Sequence, residues 1–445
     1  MLRVWNLAWD MYRGVSFKTN RNAAEFSQYR TTVGNIAEEN AVLVDILESA
    51  GAVPFVKTNI PQTLMWPETF NHVFGRTCNP YNRSLTSGGS SGGEGALVGL
   101  RGSPIGVGSD IGGSVRIPSA FCGTYGLRPC YGRTPYAGCV NSMEGQDSVP
   151  SVLGPLSNDL AGIKHFMKAV IDAKPWSKDP LVVRKRWSEE EYNLIDHGYG
   201  KNLCFAILWD DGDMVPHPPI LRGLGTAKKA LEAAGHRVID WKPLKHVEIY
   251  ETLMSVWGAG SAEDYETVAK LTGEPIISTM APEELSAPTE AALFRNTNSA
   301  SAYQLWQVQK KKRDLRQEYL RHWEETATIT GTGRPVDAII SPIAPHTATP
   351  HGLNRNGNYT MVWNLLDYAA LVVPVSKVDQ AIDIKRPRHE FYNETDKIHW
   401  EAYNPETFKD APISVQLVGR TLEEEAVIAM SEILDRALKS TKATL

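Results

Sequence analysis

The stretch that decides the fold is a glycine-serine cluster at residues 87–95, which reads S-G-G-S-S-G-G-E-G. A second cluster follows at residues 108–116 and reads G-S-D-I-G-G-S-V-R. The apolar, glycine-rich run between them, residues 96–107, predicts one short buried helix followed by a tight return. This arrangement would let Ser90 of the first cluster face Ser114 of the second.

The second cluster has the residue types of an oxyanion-binding loop. Gly112, Gly113 and Ser114 precede a predicted helix that begins at Val115, so successive backbone N–H groups would lie at a helix N-terminus. Ser114 is then the natural nucleophile. The alternative is a structural or anion-binding loop, although neither a P-loop nor a dinucleotide fingerprint is present and neither serine lies in a G-x-S-x-G elbow. Residue types alone leave both interpretations open.

The two clusters together resemble the signature of a known family. The sequences G-G-S-S-G-G-E-G-A and G-S-D-I-G-G-S-V-R-I-P-S-A-F-C-G-T-Y-G-L-R-P resemble the amidase signature family, whose members hydrolyse carboxamides with a Ser-cisSer-Lys triad. The resemblance runs from about Gly14 to the end, and blocks at 61–64, 141–146 and 216–219 are ordered as in fungal acetamidase-type general amidases. It implies an α/β fold, with one domain over residues 1–445 built as an α/β/α body around a mixed central sheet.

The resemblance also implies a role for each residue of the triad. Ser114 would be the nucleophile, Ser90 would follow a cis peptide bond and relay the proton, and Lys18, at the end of the run G-V-S-F-K, would be the base. A lysine in water has a pKa of about 10.4, so this one would have to be desolvated or hydrogen-bonded to accept a proton. The family usually continues with an acidic residue, whereas Thr19 follows here.

Lys57 is a rival for the role of base. It lies near the end of a predicted strand at 52–59, and where a similar V-K-T block occurs in the family its lysine is not the triad member. We therefore prefer Lys18. Family members usually carry a long helical segment upstream, for which the residues before Lys18 leave no room, so we expect a shortened N-terminal part.

The same resemblance implies an oxyanion hole, and the residue types around it indicate further groups of the site. The oxyanion hole would consist of the backbone amides of Ile111, Gly112, Gly113 and Ser114. Supporting groups would be the hydroxyls of Ser91 and Ser109 and an ion pair between Asp110 and Arg116. Ser109 could instead cap a turn. The turn-rich segment 118–155 is expected to help build a substrate pocket. Candidates to line the pocket are Leu64, Met65, Trp66 and Met143, with ordinary packing as the alternative for each.

Composition excludes several classes of protein. A hydrophobic content of 42%, a charged content of 22% and a net charge of −5 without long charge runs are typical of a soluble globular protein with no nucleic-acid partner. No apolar run reaches 18 residues and the first residues lack a signal-peptide core, so we expect no transmembrane segment. The partner expected is a small-molecule amide substrate, and a homodimer is left open.

Cysteines and histidines predict neither a metal nor a disulfide framework. The five cysteines are odd in number and lack C-x-x-C spacing, which indicates reduced thiols and a cytoplasmic protein. His217, His346 and His351 lack H-E-x-x-H spacing and are interpreted as packed or surface residues. We expect no metal and no organic cofactor. A Ser-His-Asp triad is not excluded by these patterns.

The rest of the chain predicts alternating helices and strands. Residues 38–51 have helical spacing, residues 202–240 read as β-α-β, and residues 245–330 are largely helical. Core strands are predicted at 336–342, 370–375 and 413–419, followed by a helix at 422–438.

Three functions fit these patterns. The first is an amide hydrolase that releases ammonia or an amine through an acyl-enzyme. The second is a catalytically silent homologue that acts as a binding or scaffold protein, and the third is an esterase that uses the same Ser114.

Overall fold

The computed structural model describes residues 5–9, 39–281, 300–354 and 357–443. The strands are β1 Trp5–Trp9, β2 Ala52–Lys57, β3 Phe70–Asn71, β4 Gly75–Arg76, β5 Ile105–Asp110, β6 Tyr125–Arg128, β7 Val152–Ser157, β8 Cys204–Ile207, β9 Arg237–Asp240, β10 Ala338–Ser341, β11 Ala370–Lys377 and β12 Pro412–Val418. The helices are α1 Val42–Ser49, α2 Gly92–Gly99, α3 Arg116–Phe121, α4 Leu160–Asp172, α5 Glu189–Tyr192, α6 Pro218–Ala233, α7 His246–Gly258, α8 Ser261–Lys270, α9 Ala302–Glu325, α10 Asn358–Leu366, α11 Glu394–Ala402 and α12 Glu424–Ala443.

A mixed sheet of ten strands forms the centre of the fold, in the order β2-β1-β5-β7-β6-β11-β12-β10-β8-β9. Its two ends are parallel: β1 pairs with β2 and β5 at one end, and β8 pairs with β9 and β10 at the other. The strands between them pair antiparallel, from β5 through β7, β6, β11 and β12 to β10. This is the mixed central sheet that the family resemblance implied.

The inner strands β5, β7, β8 and β12 of the sheet are buried on both faces, whereas the edge strands β2 and β9 are partly exposed. In β8, Phe205 and Ile207 belong to one apolar cluster, whereas Ala206 belongs to another. Neighbouring residues of a strand point to opposite faces, so the two clusters lie on the two sides of the sheet. The first cluster includes residues of α1, α4, α6 and α12, and the second includes residues of α7, α9 and α10. The architecture is therefore helix, sheet and helix in three layers.

Most of the predicted elements are confirmed within a few residues. The predicted helix at 38–51 is α1, the β-α-β unit at 202–240 is β8, α6 and β9, and the three predicted core strands are β10, β11 and β12. The segment 118–155 is rich in turns, as predicted, and it also contains β6 and the start of β7, which the sequence did not indicate. No helix in the described ranges has the length and apolar character that crossing a membrane requires.

Candidate active site

The two glycine-serine clusters meet at one end of β5. Ser91 is the N-terminal cap of α2, and its backbone N–H donates to the carbonyl of Ser114 across a distance of 3.2 Å. Gly108 makes this approach possible, since a Cβ at that position would lie 2.5 Å from Oγ of Ser91. The peptide bond between Gly89 and Ser90 is cis, as the family resemblance implied. The predicted juxtaposition of the two clusters is confirmed.

The serine hydroxyls lie in a nearly closed environment. Ser90 and Ser91 are buried, and their Oγ atoms have no hydrogen-bond partner among the described residues. Ser114 is 9% exposed and lines a cavity. Buried hydroxyls are usually hydrogen-bonded in folded proteins, so the Oγ atoms of Ser90 and Ser91 keep their capacity to donate and to accept.

The carboxylate of Asp110 fixes the backbone conformation of the second cluster. Its carboxylate forms a bidentate ion pair with Arg116, from Oδ1 to Nη2 at 2.9 Å and from Oδ2 to Nε at 3.0 Å. The backbone N–H groups of Gly113 and Val115 donate to the same carboxylate at 2.8 and 3.2 Å, and Nδ2 of Asn364 donates at 2.9 Å. The predicted ion pair is present, and the carboxylate also fixes the loop backbone directly.

Electrostatics agree with this structural role for Asp110. Burial alone would raise the pKa of the carboxyl group, but the charge of Arg116 and the hydrogen bonds from Arg116 and Asn364 outweigh it. The pKa of Asp110 therefore lies below its usual value. The group stays ionised and keeps the loop in one conformation.

The proposed oxyanion loop needs one correction. The N–H of Gly113 points to Asp110 and is not available to an oxyanion in this conformation. Glycine is required for this conformation, since Gly113 has a φ of 134° and a Cβ there would lie 2.5 Å from Oγ1 of Thr360. The amides of Ile111, Gly112 and Ser114 are left as candidate donors.

A narrow cavity lies over Ser114. Its described lining residues are Leu64, Met65, Trp66, Pro67, Gly89, Ile111, Gly112, Ser114, Ile117, Tyr250, Trp257, Gly357 and Met361. About 30 Å³ of it admits the centre of a water-sized molecule. A single water needs about 10 to 15 Å³ on this scale, so the cavity holds a molecule of a few heavy atoms.

The structure places three of the four predicted pocket residues at the cavity. Leu64, Met65 and Trp66 line the cavity, whereas Met143 is absent from its wall. Met143 instead belongs to the buried cluster that includes Met65, and its backbone N–H donates to Oδ2 of Asp264 at 2.9 Å. This contact holds the 143 segment against α8, which explains why its side chain packs in the cluster.

Part of the cavity comes from residues that sequence reasoning did not find. Tyr250 and Trp257 belong to α7, and Gly357 and Met361 lie at the start of α10. Neither helix carries a distinctive motif. The signal that could have found them is weak, since it consists of Trp257 on the buried face of α7 and of Tyr250, a half-buried residue of the same helix.

Of the two candidate bases, Lys57 alone belongs to the described residues. Lys18 lies outside the described residues. Lys57 ends β2 and is not among the residues that line the cavity.

Ser109, a candidate supporting hydroxyl, is a buried residue of β5, the strand that leads into the second cluster.

Histidines play no part in the described wall of the cavity. All eleven lie in the described ranges, and none lines the cavity that Ser114 faces, which disfavours a Ser-His-Asp triad. His217 is packed, stacked on His399 with ring centroids 3.8 Å apart. Among described residues no group of three His, Cys, Asp or Glu side chains is placed to hold a metal ion, and all five cysteines are free thiols.

The fold and the paired clusters agree with a family assignment. A family model described as Amidase matches residues 27–428. The chain therefore belongs to the amidase family, the amidase signature enzymes that the motifs indicated, and it is an amide hydrolase.

Characterised relatives are similar over most of the chain. An acetamidase of Emericella nidulans is 41% identical over 419 residues, which cover 92% of this chain and 74% of the relative. An acetamidase of Aspergillus oryzae is 39% identical, with 92% of this chain and 73% of the relative covered. Among solved structures, a fatty acid amide hydrolase has a TM-score of 0.85 at 30% identity and covers 97% of this chain and 73% of its own.

Proposed function

We propose that this chain hydrolyses small carboxamides with Ser114 as nucleophile, Ser90 as proton relay and Lys18 as base. The observation that carries the proposal is the position of Ser114 at the cavity wall, with its carbonyl hydrogen-bonded to the N–H of Ser91, the residue that follows the buried Ser90. A hydroxyl can donate one hydrogen bond and accept another, so Ser90 suits a relay between two groups. The order of motifs in the sequence supports Lys18 as the second of these groups.

The chemistry proceeds in two halves. Oγ of Ser114 forms a bond to the carboxamide carbon while its proton passes to Ser90 and the proton of Ser90 passes to neutral Lys18. The resulting oxyanion accepts hydrogen bonds from loop amides. The C–N bond then breaks, and the nitrogen leaves as ammonia or an amine with the proton returned through Ser90. Water attacks the acyl-enzyme by the same route, releases the carboxylic acid and restores the hydroxyl of Ser114.

The size of the cavity supports a short acyl group. Trp66, Trp257 and Met361 line the cavity with Ser114, and the part of it enclosed by described residues has room for a few heavy atoms. The relatives from Emericella nidulans and Aspergillus oryzae are named acetamidases, which is consistent with a substrate of this size. Acetamide is accordingly the substrate to try first.

Release of ammonia from acetamide tests the proposal. We expect Ser114→Ala to lose activity by at least about 10³-fold, with large losses also in Ser90→Ala and Lys18→Ala, because residues that act as one unit fail together. The matched control is Ser431→Ala, which removes another buried hydroxyl without a described partner, in α12 and outside the cavity wall. Full activity in Ser114→Ala would refute the proposal, and a folded wild type without activity would favour the silent homologue.

A further inference from the structure

Glu68 is a buried carboxylate whose main chain packs on the first serine cluster. Its side chain is 1% exposed. A Cβ at Gly89 would lie 2.5 Å from the carbonyl oxygens of Trp66 and Glu68 and 2.6 Å from the backbone nitrogen of Glu68. The backbone at 66–68 therefore directly contacts the residue that precedes Ser90.

The carboxylate of Glu68 binds a second segment, far along the chain. Oε1 accepts the backbone N–H of Gly352 at 2.9 Å and that of Asn354 at 3.1 Å. Nδ2 of Asn354 donates in return to the carbonyl of Pro67 at 2.7 Å. Residues 352–354 are thus tied to residues 67–68 by both backbone and side-chain hydrogen bonds.

The segment that Glu68 binds leads into the cavity wall. Gly357 and Met361 line the cavity, and Oγ1 of Thr360 donates to the carbonyl of Gly112 in the second cluster at 2.6 Å. Residues 352–354 therefore belong to the chain segment that supplies one wall of the cavity. Loss of the hydrogen bonds from Gly352 and Asn354 leaves the backbone contact of residues 66–68 with Gly89 in place, so we expect a larger effect on substrate binding than on the chemical step.

The charges around Glu68 make its ionisation state sensitive to pH. Nη1 of Arg76 lies 3.7 Å and Nδ1 of His351 lies 4.0 Å from Oε2, and the hydroxyl of Thr86 is a further hydrogen-bond partner. Burial raises the pKa of Glu68 to about 7, although the N–H groups of Gly352 and Asn354 and the charge of Arg76 all act in the opposite direction. Burial also lowers the pKa of His351, so Arg76 is the positive charge that faces Glu68 near neutral pH.

We propose that Glu68 is a positioning residue whose ionised carboxylate holds residues 352–354, and through them the 357–361 wall of the cavity, in the conformation that binds substrate. The inference rests on the proposed function only for the identity of the site. Protonation removes the negative charge that faces Arg76 and weakens the hydrogen bonds from the two backbone N–H groups, because charge-assisted bonds are the stronger ones.

Protonation of Glu68 does not unfold the protein. Because its folded pKa is raised, its contribution to stability is present below the unfolded value of about 4.5 and is lost as pH rises through about 7. When the pH falls from about 8 to about 6, protonation of Glu68 therefore increases the free energy of unfolding. The same protonation weakens the hydrogen bonds that hold residues 352–354. A rise in KM over this range would report positioning and not loss of folded protein.

The test compares Glu68→Gln with the wild type, using acetamide hydrolysis from about pH 6 to about pH 8. The variant is neutral at every pH and has the shape of the protonated side chain. At about pH 8 we expect its KM to be about tenfold higher and its kcat to change less than about threefold, as expected for weakened hydrogen bonds to a charged acceptor. The KM of the wild type should rise toward that of the variant at about pH 6, whereas the KM of the variant should show no titration of this group.

Hydrogen-deuterium exchange supplies a readout that is independent of activity. A peptide covering residues 350–354 should exchange faster in Glu68→Gln than in the wild type at about pH 8. The matched control is Glu425→Gln, which neutralises a buried carboxylate that binds Arg133 and Lys185 outside the cavity wall and should leave both readouts unchanged.

Two results would overturn the proposal: a KM profile in Glu68→Gln equal to that of the wild type, or exchange at 350–354 no faster than in Glu425→Gln. If the wild type hydrolyses no amide, the proposed function fails, and exchange alone still decides the role of Glu68. Should Glu68→Gln not fold, exchange of the wild-type peptide at about pH 6 and about pH 8, corrected for the intrinsic rate, gives the same decision.

Discussion

Asp110 shows how a single side chain fixes the geometry of the site. It accepts hydrogen bonds from two amides of its own loop, from the guanidinium of Arg116 and from Asn364 of α10. The ion pair with Arg116 could be predicted, because the two residues flank one short loop. The bond to Asn364 joins residues 254 positions apart, and nothing in the local pattern indicated it.

The ion pair of Asp110 predicts a large loss of stability on substitution. Asp110→Asn leaves Arg116 charged and fully buried without its counter-ion, and breaking such a pair costs about 3 to 5 kcal/mol. Urea unfolding measures the free energy. The control is Glu394→Gln, which breaks an exposed pair with Lys397 and should change the free energy of unfolding by less than about 0.5 kcal/mol. Equal effects of the two substitutions would contradict this account of Asp110.

Two helices, α7 and α10, supply part of the cavity wall and pack against the second serine cluster. Trp257 of α7 lies so close to the loop that a Cβ at Gly112 would be 2.6 Å from its Cη2 atom. Met361 of α10 would be 3.3 Å from the same Cβ. The helices therefore set the depth of the cavity, although they contribute no group to the proposed chemistry.

The position of Trp257 predicts a change of chain-length preference. In Trp257→Ala the space over Ser114 grows by the volume of an indole ring, so the rate on hexanamide relative to acetamide should rise at least about tenfold, as expected when a pocket gains room for several methylene groups. Competition between the two amides measures this ratio.

The control for Trp257 is a tryptophan of the same buried cluster. Trp323→Ala removes an equally buried side chain that does not line the cavity. Both variants should lose about 3 to 5 kcal/mol of stability, but only Trp257→Ala should change the ratio of rates. An unchanged ratio in Trp257→Ala would show that other groups limit the acyl chain.

Elements differed in how far the sequence could predict them. Strands β8, β10, β11 and β12 were found because strands buried on both faces appear as continuous apolar runs. Strands β6 and β7 were missed because Gly126, Gly154 and Pro155 interrupt such a run. Gly154 is required by packing that only the fold reveals, since a Cβ there would lie 2.0 Å from the carbonyl of Leu127.

The sequence indicated one part of the candidate site and missed part of the cavity wall. The serine clusters carry a long and specific motif, so the meeting of their loops could be predicted, and the roles of Ser90 and Ser114 stay predictions. Met143 was misplaced and Tyr250 and Trp257 were missed, because cavity walls are assembled from distant elements by packing.

At the scale of the whole molecule, a group of buried histidines joins three distant segments. His217 precedes α6, His346 follows β10 and His399 lies in α11. His217 stacks on His399 at 3.8 Å, and His346 lies within 6.3 Å of both rings. Burial lowers the pKa of His217 to about 3 and that of His346 to about 4, so the rings are packed as neutral groups.

These histidines predict that the fold is sensitive to acid. Because their folded pKa values lie below the unfolded value of about 6.5, their contribution to stability is present above pH 6.5 and is lost as pH falls toward about 4. Each should contribute a slope on the order of 1 kcal/mol per pH unit in that window.

Urea unfolding between about pH 4 and about pH 7 measures this slope. His217→Phe keeps an aromatic ring against His399 and removes one titrating group, so the slope should become smaller. His165→Asn, at an exposed position of α4, should leave the slope unchanged. A slope that is equal in the wild type and His217→Phe would contradict this account of the buried histidines.

The most direct test of the central claim, that Ser114 is a nucleophile served by Lys18, is intact-protein mass spectrometry after treatment with a serine-directed fluorophosphonate. The account predicts one adduct on the wild type, none on Ser114→Ala, and strongly slowed labelling of Lys18→Ala. Labelling that persists in Ser114→Ala, or a folded wild type that is not labelled, would contradict it.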